Sequence, residues 1–151
     1  MSAPYTADDI SLMTRRLDVV TARLLVASAR DVGVSVSELL ALEHLDAGGG
    51  AGPSDLAHRL QMSTGSVTAL LDRLEASGHA VRAPHPSDRR RVVVSRPATA
   101  DEVLAREAAP VAAQVRELAA SLSAQERDVV GCFLERFLAL LEESADEACA
   151  A

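Results

Sequence analysis

The chain has 151 residues, 48% of them hydrophobic and 25% charged, with a net charge of −7; these are the proportions of one globular domain or one protomer of a symmetric dimer, and they exclude a disordered or collagenous chain. All fifteen basic side chains are Arg, 28 residues are Ala, and the aromatic residues are Tyr5, Phe133 and Phe137. No aliphatic run approaches the roughly 18 residues of a membrane span, residues 1–9 lack a basic start followed by an apolar run, and two Cys seventeen positions apart match no metal or redox spacing, so a cytoplasmic, reduced location is expected.

In chain order, Ile10, Met13, Leu17, Val20, Leu24 and Leu25 recur at helical spacing and predict a long amphipathic helix over 7–29. Ser35 and Glu38 have the spacing of a capping box, which opens a second helix carrying Leu39, Leu42 and Leu45 and ending at a flexible loop of Gly48, Gly49 and Gly50. Gly52, Pro53 and Ser54 start a short third helix with Leu56, Ala57 and Leu60. A tight turn at Gln61 and Met62 leads to a fourth, capped by Ser63, with Val67, Leu70, Leu71 and Leu74 on one face and Gly78 as its left-handed stop. Two short helices joined by such a turn make a helix-turn-helix.

From His79 the period changes to that of a β-hairpin: Ala80 to Ala83, a turn containing Pro84, Pro86, Ser87 and Asp88, then Arg91 to Ser95. A capping box at Thr99 and Glu102 predicts a fifth helix bent at Pro110, and another at Ser123 and Glu126 opens a sixth with Val130, Phe133, Leu134, Phe137, Leu138 and Leu141. The fold class is mainly α with a small β-wing. The apolar stripes of the first, fifth and sixth helices exceed what one small domain can cover, so a dimer interface including Leu17, Phe133, Phe137 and Leu141 is expected.

The charge is uneven: five Arg and one Asp lie between His79 and Arg96, a local +4 on an acidic body. Projected at 100° per residue, the fourth helix turns Gly65, Ala69, Asp72 and Ala76 outward, flanked by Ser66 and Arg73 on one side and Thr64 and Thr68 on the other. Small outward residues let a helix approach a major groove, where Ser, Thr and Arg can donate to phosphates or base edges. Ser and Thr in a first turn are more often caps, and Asp72 would repel a phosphate unless it faces Arg73 or a cytosine amino group. The adjoining hairpin favours the DNA reading. Arg89, Arg90 and Arg91 cluster at its tip, Asp88 and Arg90 point to the same side in extended chain, and Arg on a β-tip suits a narrow minor groove. The alternative for the hairpin is a solvated turn with a local ion pair.

The segments Leu56 to Leu60, Ser63 to Gly78 and His85-Pro86-Ser87-Asp88-Arg89-Arg90-Arg91-Val92-Val93-Val94 resemble the winged helix-turn-helix of the MarR family of bacterial transcription regulators. The resemblance extends over nearly the whole chain, and the Asp-x-Arg of the wing (Asp88, Arg90) is its most specific part. It implies a homodimeric repressor that binds a pseudo-palindromic double-stranded operator and is released by a small ligand or oxidant. In that frame 6–32 and 99–147 are the helical dimerisation region and 35–97 the winged helix-turn-helix. Ser63, Thr64, Gly65, Ser66, Thr68 and Arg73 would sit in the recognition helix and Asp88, Arg89, Arg90 and Arg91 in the wing. His79-Ala80 and Arg96-Pro97 depart from the family pattern and are expected to loosen the base of the wing.

The resemblance also implies an effector cavity lined by the first, second and fifth helices. Arg16 and His44 are the polar anchors expected there, and an amphipathic organic anion the expected ligand. Four dispersed His make no His-x-x-x-His pair, so no metal is assigned. Cys132 reads as a small core or interface residue and Cys149 as part of an exposed tail. No phosphate loop, catalytic triad or paired-carboxylate motif is present, which leaves no enzyme signature and no cofactor. The rival to a DNA-binding regulator is a helical dimer that binds a small molecule or protein and has lost DNA binding; the Arg-rich wing tip speaks against it.

Overall fold

The computed structural model describes residues 4–45, 50–85, 87–88 and 91–150, leaving aside the side chains of 107 and 148–150. They form α1 (Ala7–Val32), α2 (Val36–Glu43), α3 (Pro53–Arg59), α4 (Thr64–Ala76), β1 (Val81–Pro84), β2 (Val92–Ser95), α5 (Ala98–Ser121) and α6 (Ala124–Ala150). Residues 1–104 and 105–151 make up two compact units. No described helix is long and apolar enough to cross a membrane.

Local chemistry sets most boundaries in the first unit. Thr6 and Asp9 close a capping box at the start of α1, and the helix runs to Val32, three residues beyond the expected end, because Gly33 at φ 81° lets the amide of Val34 donate to the Ala29 carbonyl at 2.9 Å. Ser35 and Glu38 cap α2 as expected. At the end of α4 the amide of Gly78 donates to Glu75 and that of His79 to Leu74, a Schellman closure with Gly78 at φ 75°.

The core of this unit is formed by Ala41, Leu42 and Leu45 of the α2 region, Leu56 and Ala57 of α3, the inner face of α4 (Val67, Leu70, Leu71, Leu74), and Ala51, Ala80 and Val94. Val34, Leu60, Met62 and Leu104 pack against it. The hairpin is antiparallel, with Arg82 opposite Val94 and Pro84 opposite Val92. Pro84 therefore ends β1 and does not belong to the turn.

Val94 also exchanges two 2.9 Å backbone hydrogen bonds with Ala51, which ties the wing to the segment before α3. Gly50 makes that approach possible. A Cβ there would stand 2.2 Å from Val93 Cγ1 and 2.6 Å from the Val94 carbonyl oxygen, at φ +60°. Gly50 is thus a packed position, whereas a flexible loop was expected; Gly48 and Gly49 lie outside the described residues.

The expected capping box at Thr99 and Glu102 is absent. α5 starts at Ala98, two residues before the Ala100 that a Thr99 cap would place first, with the Pro97 carbonyl accepting from the amides of Ala100 and Asp101, so Thr99 already lies inside the first turn. Pro110 is accommodated within α5 without ending it. In the second unit, Ser123 and Glu126 cap α6 as expected, and Phe133 and Phe137 stack with ring centroids 6.1 Å apart. Cys132 is exposed, not part of a core. The backbone of residue 149 continues α6 and is no separate tail; the Cys149 side chain lies outside the described residues.

Candidate nucleic-acid interface

The turn between α3 and α4 is made by Gln61, whose φ of 53° is unusual for a residue with a side chain, and by the amide of Met62 donating to the Ala57 carbonyl at 3.0 Å. It sets α4 with Val67, Leu70, Leu71 and Leu74 in the core and the opposite face outward. Ser63, Thr64, Gly65, Ser66, Thr68, Ala69, Asp72, Arg73 and Ala76 are all exposed, which is the outward face the helical projection gives.

At the N-terminus of α4, Ser63 Oγ accepts from the Ser66 amide at 3.1 Å and lies 2.8 Å from Ser66 Oγ. Thr68 Oγ1 donates to the Thr64 carbonyl at 2.8 Å. Three of the expected reading hydroxyls, those of Ser63, Ser66 and Thr68, thus have local partners in the free protein, as capping chemistry predicts. Nothing lies within 4 Å of where a Cβ on Gly65 would stand, so this stretch of the helix is open to close approach.

The two arginines nearest this face are held by carboxylates. Arg73 Nε donates to Glu38 Oε1 at 2.6 Å; the Arg73 side chain stays 61% exposed while Glu38 is only 8% exposed. Burial raises the Glu38 pKa, but bonds from the Ser35 amide, Arg73 and the Ser35 hydroxyl outweigh it and hold the carboxyl below its ordinary value. Asp72 does not face Arg73: its Oδ1 lies 2.7 Å from Arg82 Nη1, which is also 2.9 Å from Glu75 Oε2, and its side chain stays 58% exposed. Arg82 offsets part of the negative charge of this ridge, and the three side chains together keep a net charge of −1.

Further contacts close the wing on itself and tie it to its surroundings. Arg91 Nη2 lies 3.6 Å from Asp55 of α3, and the amide of His85 donates to the Arg91 carbonyl at 2.9 Å to close the strands. The amide of Ser87 donates to His85 Nδ1 at 3.3 Å within the turn. Arg96, expected to loosen the wing's base, anchors it: Nη1 donates to the Leu42 carbonyl at 2.8 Å and Nε pairs with Asp101 at 2.8 Å. Ala80, of the other departure, is buried in the core. Arg89 and Arg90 lie outside the described residues, so the expected pairing of Asp88 with Arg90 does too.

Sequence reasoning left Asp55 and Arg82 without a site role, and read Glu38 only as a cap and Arg96 only as a loosening of the wing's base. The partners of Glu38, Asp55, Arg82 and Arg96 stand 35, 36, 10 or 7, and 54 or 5 positions away, each on another element, where a projection of one helix does not reach.

Of the expected dimer residues, Leu17, Phe133 and Leu141 are exposed and Phe137 is half-buried. Arg16 and His44 are exposed. Neither lines the surface grooves along α1 (around Val19, Arg23 and Val26), α5 (around Gln114 and Leu118) or α6 (around Cys132, Phe133 and Phe137). Among the described residues no group of three His, Cys, Asp or Glu is placed to hold a metal ion.

Comparison with known proteins gives a consistent assignment. The profile of the MarR family matches residues 32–91. The HTH-type transcriptional regulator YcgE of Bacillus subtilis is 30% identical over 133 residues, covering 87% of this chain and 86% of YcgE. The HTH-type transcriptional regulator Mb0904 of Mycobacterium bovis is 36% identical over 140 residues, with 91% and 94% covered. Among solved structures, Streptococcus pneumoniae FabT in complex with DNA superposes with a TM-score of 0.69 over 89% of this chain and 99% of FabT; at 21% identity this is a likeness of fold.

Proposed function

The chain belongs to the MarR family of transcriptional regulators, and from that premise we propose that it is a homodimeric repressor that binds a pseudo-palindromic operator and responds to a small organic effector. It is a regulator and not an enzyme. The observation that carries the DNA reading is the uncovered N-terminal half of α4, polar and small on its outer side, next to a wing fastened to the same helix through Arg82. A helix with that surface fits a major groove, and a basic β-tip beside it fits the adjoining minor groove. FabT, of the same fold, is seen with DNA.

In this reading 35–97 is the DNA-binding region. Ser63, Thr64, Gly65, Ser66, Thr68 and Arg73 face the major groove, and Asp88, Arg89, Arg90 and Arg91 serve the wing. Regions 6–32 and 99–147 form the dimer, which is supported by the apolar residues that α1, α5 and α6 expose, among them Leu17, Val115, Leu118, Phe133 and Leu141. Arg16 and His44 are the polar contacts of the effector.

The test is selection of bound fragments from the source genome, followed by binding titrations of the recovered site over a range of salt. A discrete inverted-repeat site and a steep loss of affinity with salt are expected. Recovery of no site, with no salt-dependent binding to any duplex, would leave only a helical dimer without DNA function.

A further inference from the structure

Arg82 joins the hairpin to α4 through two carboxylates and a backbone carbonyl. It stands second in β1, opposite Val94, which is itself in the core and bonded to Ala51. Its Nη1 lies 2.7 Å from Asp72 and 2.9 Å from Glu75, and its Nη2 lies 3.5 Å from the Thr68 carbonyl. Positions 68, 72 and 75 follow one another as i, i+4 and i+7, so the guanidinium lies along a single ridge of α4. The side chain is 27% exposed.

Three charges in contact sum to −1, with the positive one innermost. A phosphate brought to Arg82 would meet two carboxylates first, so the residue is a poor counter-ion for DNA although it lies in the most basic stretch of the chain. Its geometry instead fixes the strand to the helix. A guanidinium spanning two carboxylates and a carbonyl restricts both sliding and rotation, which one point contact could not do.

We infer that Arg82 is a positioning residue: braced by Asp72 and Glu75, it sets the distance and angle between the exposed face of α4 and the wing, and so the spacing at which one subunit engages major and minor groove together. This inference rests on the DNA reading above for its consequence, though the brace exists in the free protein.

Two experiments separate the brace from its consequence. Hydrogen exchange of the free protein is compared for wild type, Arg82→Met and Asp72→Asn/Glu75→Gln. Loss of two charged contacts is expected to speed exchange of the β1 and β2 amides by about threefold to tenfold while α4 core amides stay protected; unchanged wing exchange overturns the brace whether or not the protein binds DNA. Hydroxyl-radical footprinting on the selected site then reads the consequence. Both variants are expected to lose the minor-groove protection contributed by the wing and keep that of α4. The carboxylate variant decides against the rival role, because removing two negative charges beside a phosphate-binding Arg would tighten binding and leave the footprint intact, and that result overturns the proposal. Arg82→Lys, which can reach one carboxylate at a time, is expected to restore the footprint partly; it also serves if Arg82→Met does not fold.

Discussion

Arg73 of α4 and Glu38 of α2 meet at 2.6 Å across 35 positions of sequence, and the same carboxylate accepts from the amide and hydroxyl of Ser35, each at 2.8 Å. One buried group therefore caps α2 and orients an exposed arginine on the face proposed to meet DNA.

Because Glu38 ionises below the ordinary glutamate range when folded, its contribution is complete above that range and is lost as pH falls through the folded value. Glu38→Gln is expected to cost about 1–2 kcal/mol near neutral pH, counting the cap and one charge-assisted bond to a largely exposed partner. The difference from wild type should shrink in acid. Thermal unfolding of both proteins from pH 7 to pH 3 measures it, and a constant difference over that range would contradict the assignment.

Gly65 offers a way to separate stability from function. Its position is helical and open, so Gly65→Ala should raise stability by about 0.5–1 kcal/mol through backbone entropy. Gly65→Gln should fold at least as well as wild type but lose most operator affinity, since a long side chain would hold the helix away from the groove. Equal DNA binding by Gly65→Gln would move the DNA contact off this face.

At the wing tip, Arg90→Ala is expected to weaken operator binding by about 1–3 kcal/mol, and Asp88→Ala by a fraction of that. In the same titrations each lost phosphate contact should reduce the log–log salt slope by roughly 0.9. Two folded variants with wild-type affinity and slope would leave the wing no part in binding.

The local parts of the fold were legible. The caps at Ser35, Ser63 and Ser123 and the stop at Gly78 are each written within a few adjacent residues, and the inner stripe of α4 follows from its spacing. The parts that failed depend on something distant or on a displaced helix start. Gly50 is fixed by strand β2, more than forty residues away, and the Thr99 pattern fails because the helix begins two positions too soon. The candidate site divides in the same way: a projection found the outward face of α4, while the carboxylates that hold Arg73 and Arg82 needed the folded chain.

The dimer prediction is read from the α6 face, where Phe133 and Phe137 stack beside exposed Leu134, Leu138 and Leu141. Phe137→Glu should give monomer or unfolded chain by light scattering and circular dichroism. A folded dimer of wild-type stability would place the interface elsewhere.

Val94 belongs to the core although it stands twenty residues after Leu74, the last core residue of α4, and Leu104 packs on that core from ten residues further on. The three helices around the turn thus have no complete interior of their own while the hairpin is still unmade. On a ribosome the core stays incomplete until β2 has emerged, and a transplant of 35–80 into another protein would carry the motif without Val94. Duplicating or exchanging this region in evolution therefore requires moving helices, wing and the start of α5 as one cassette.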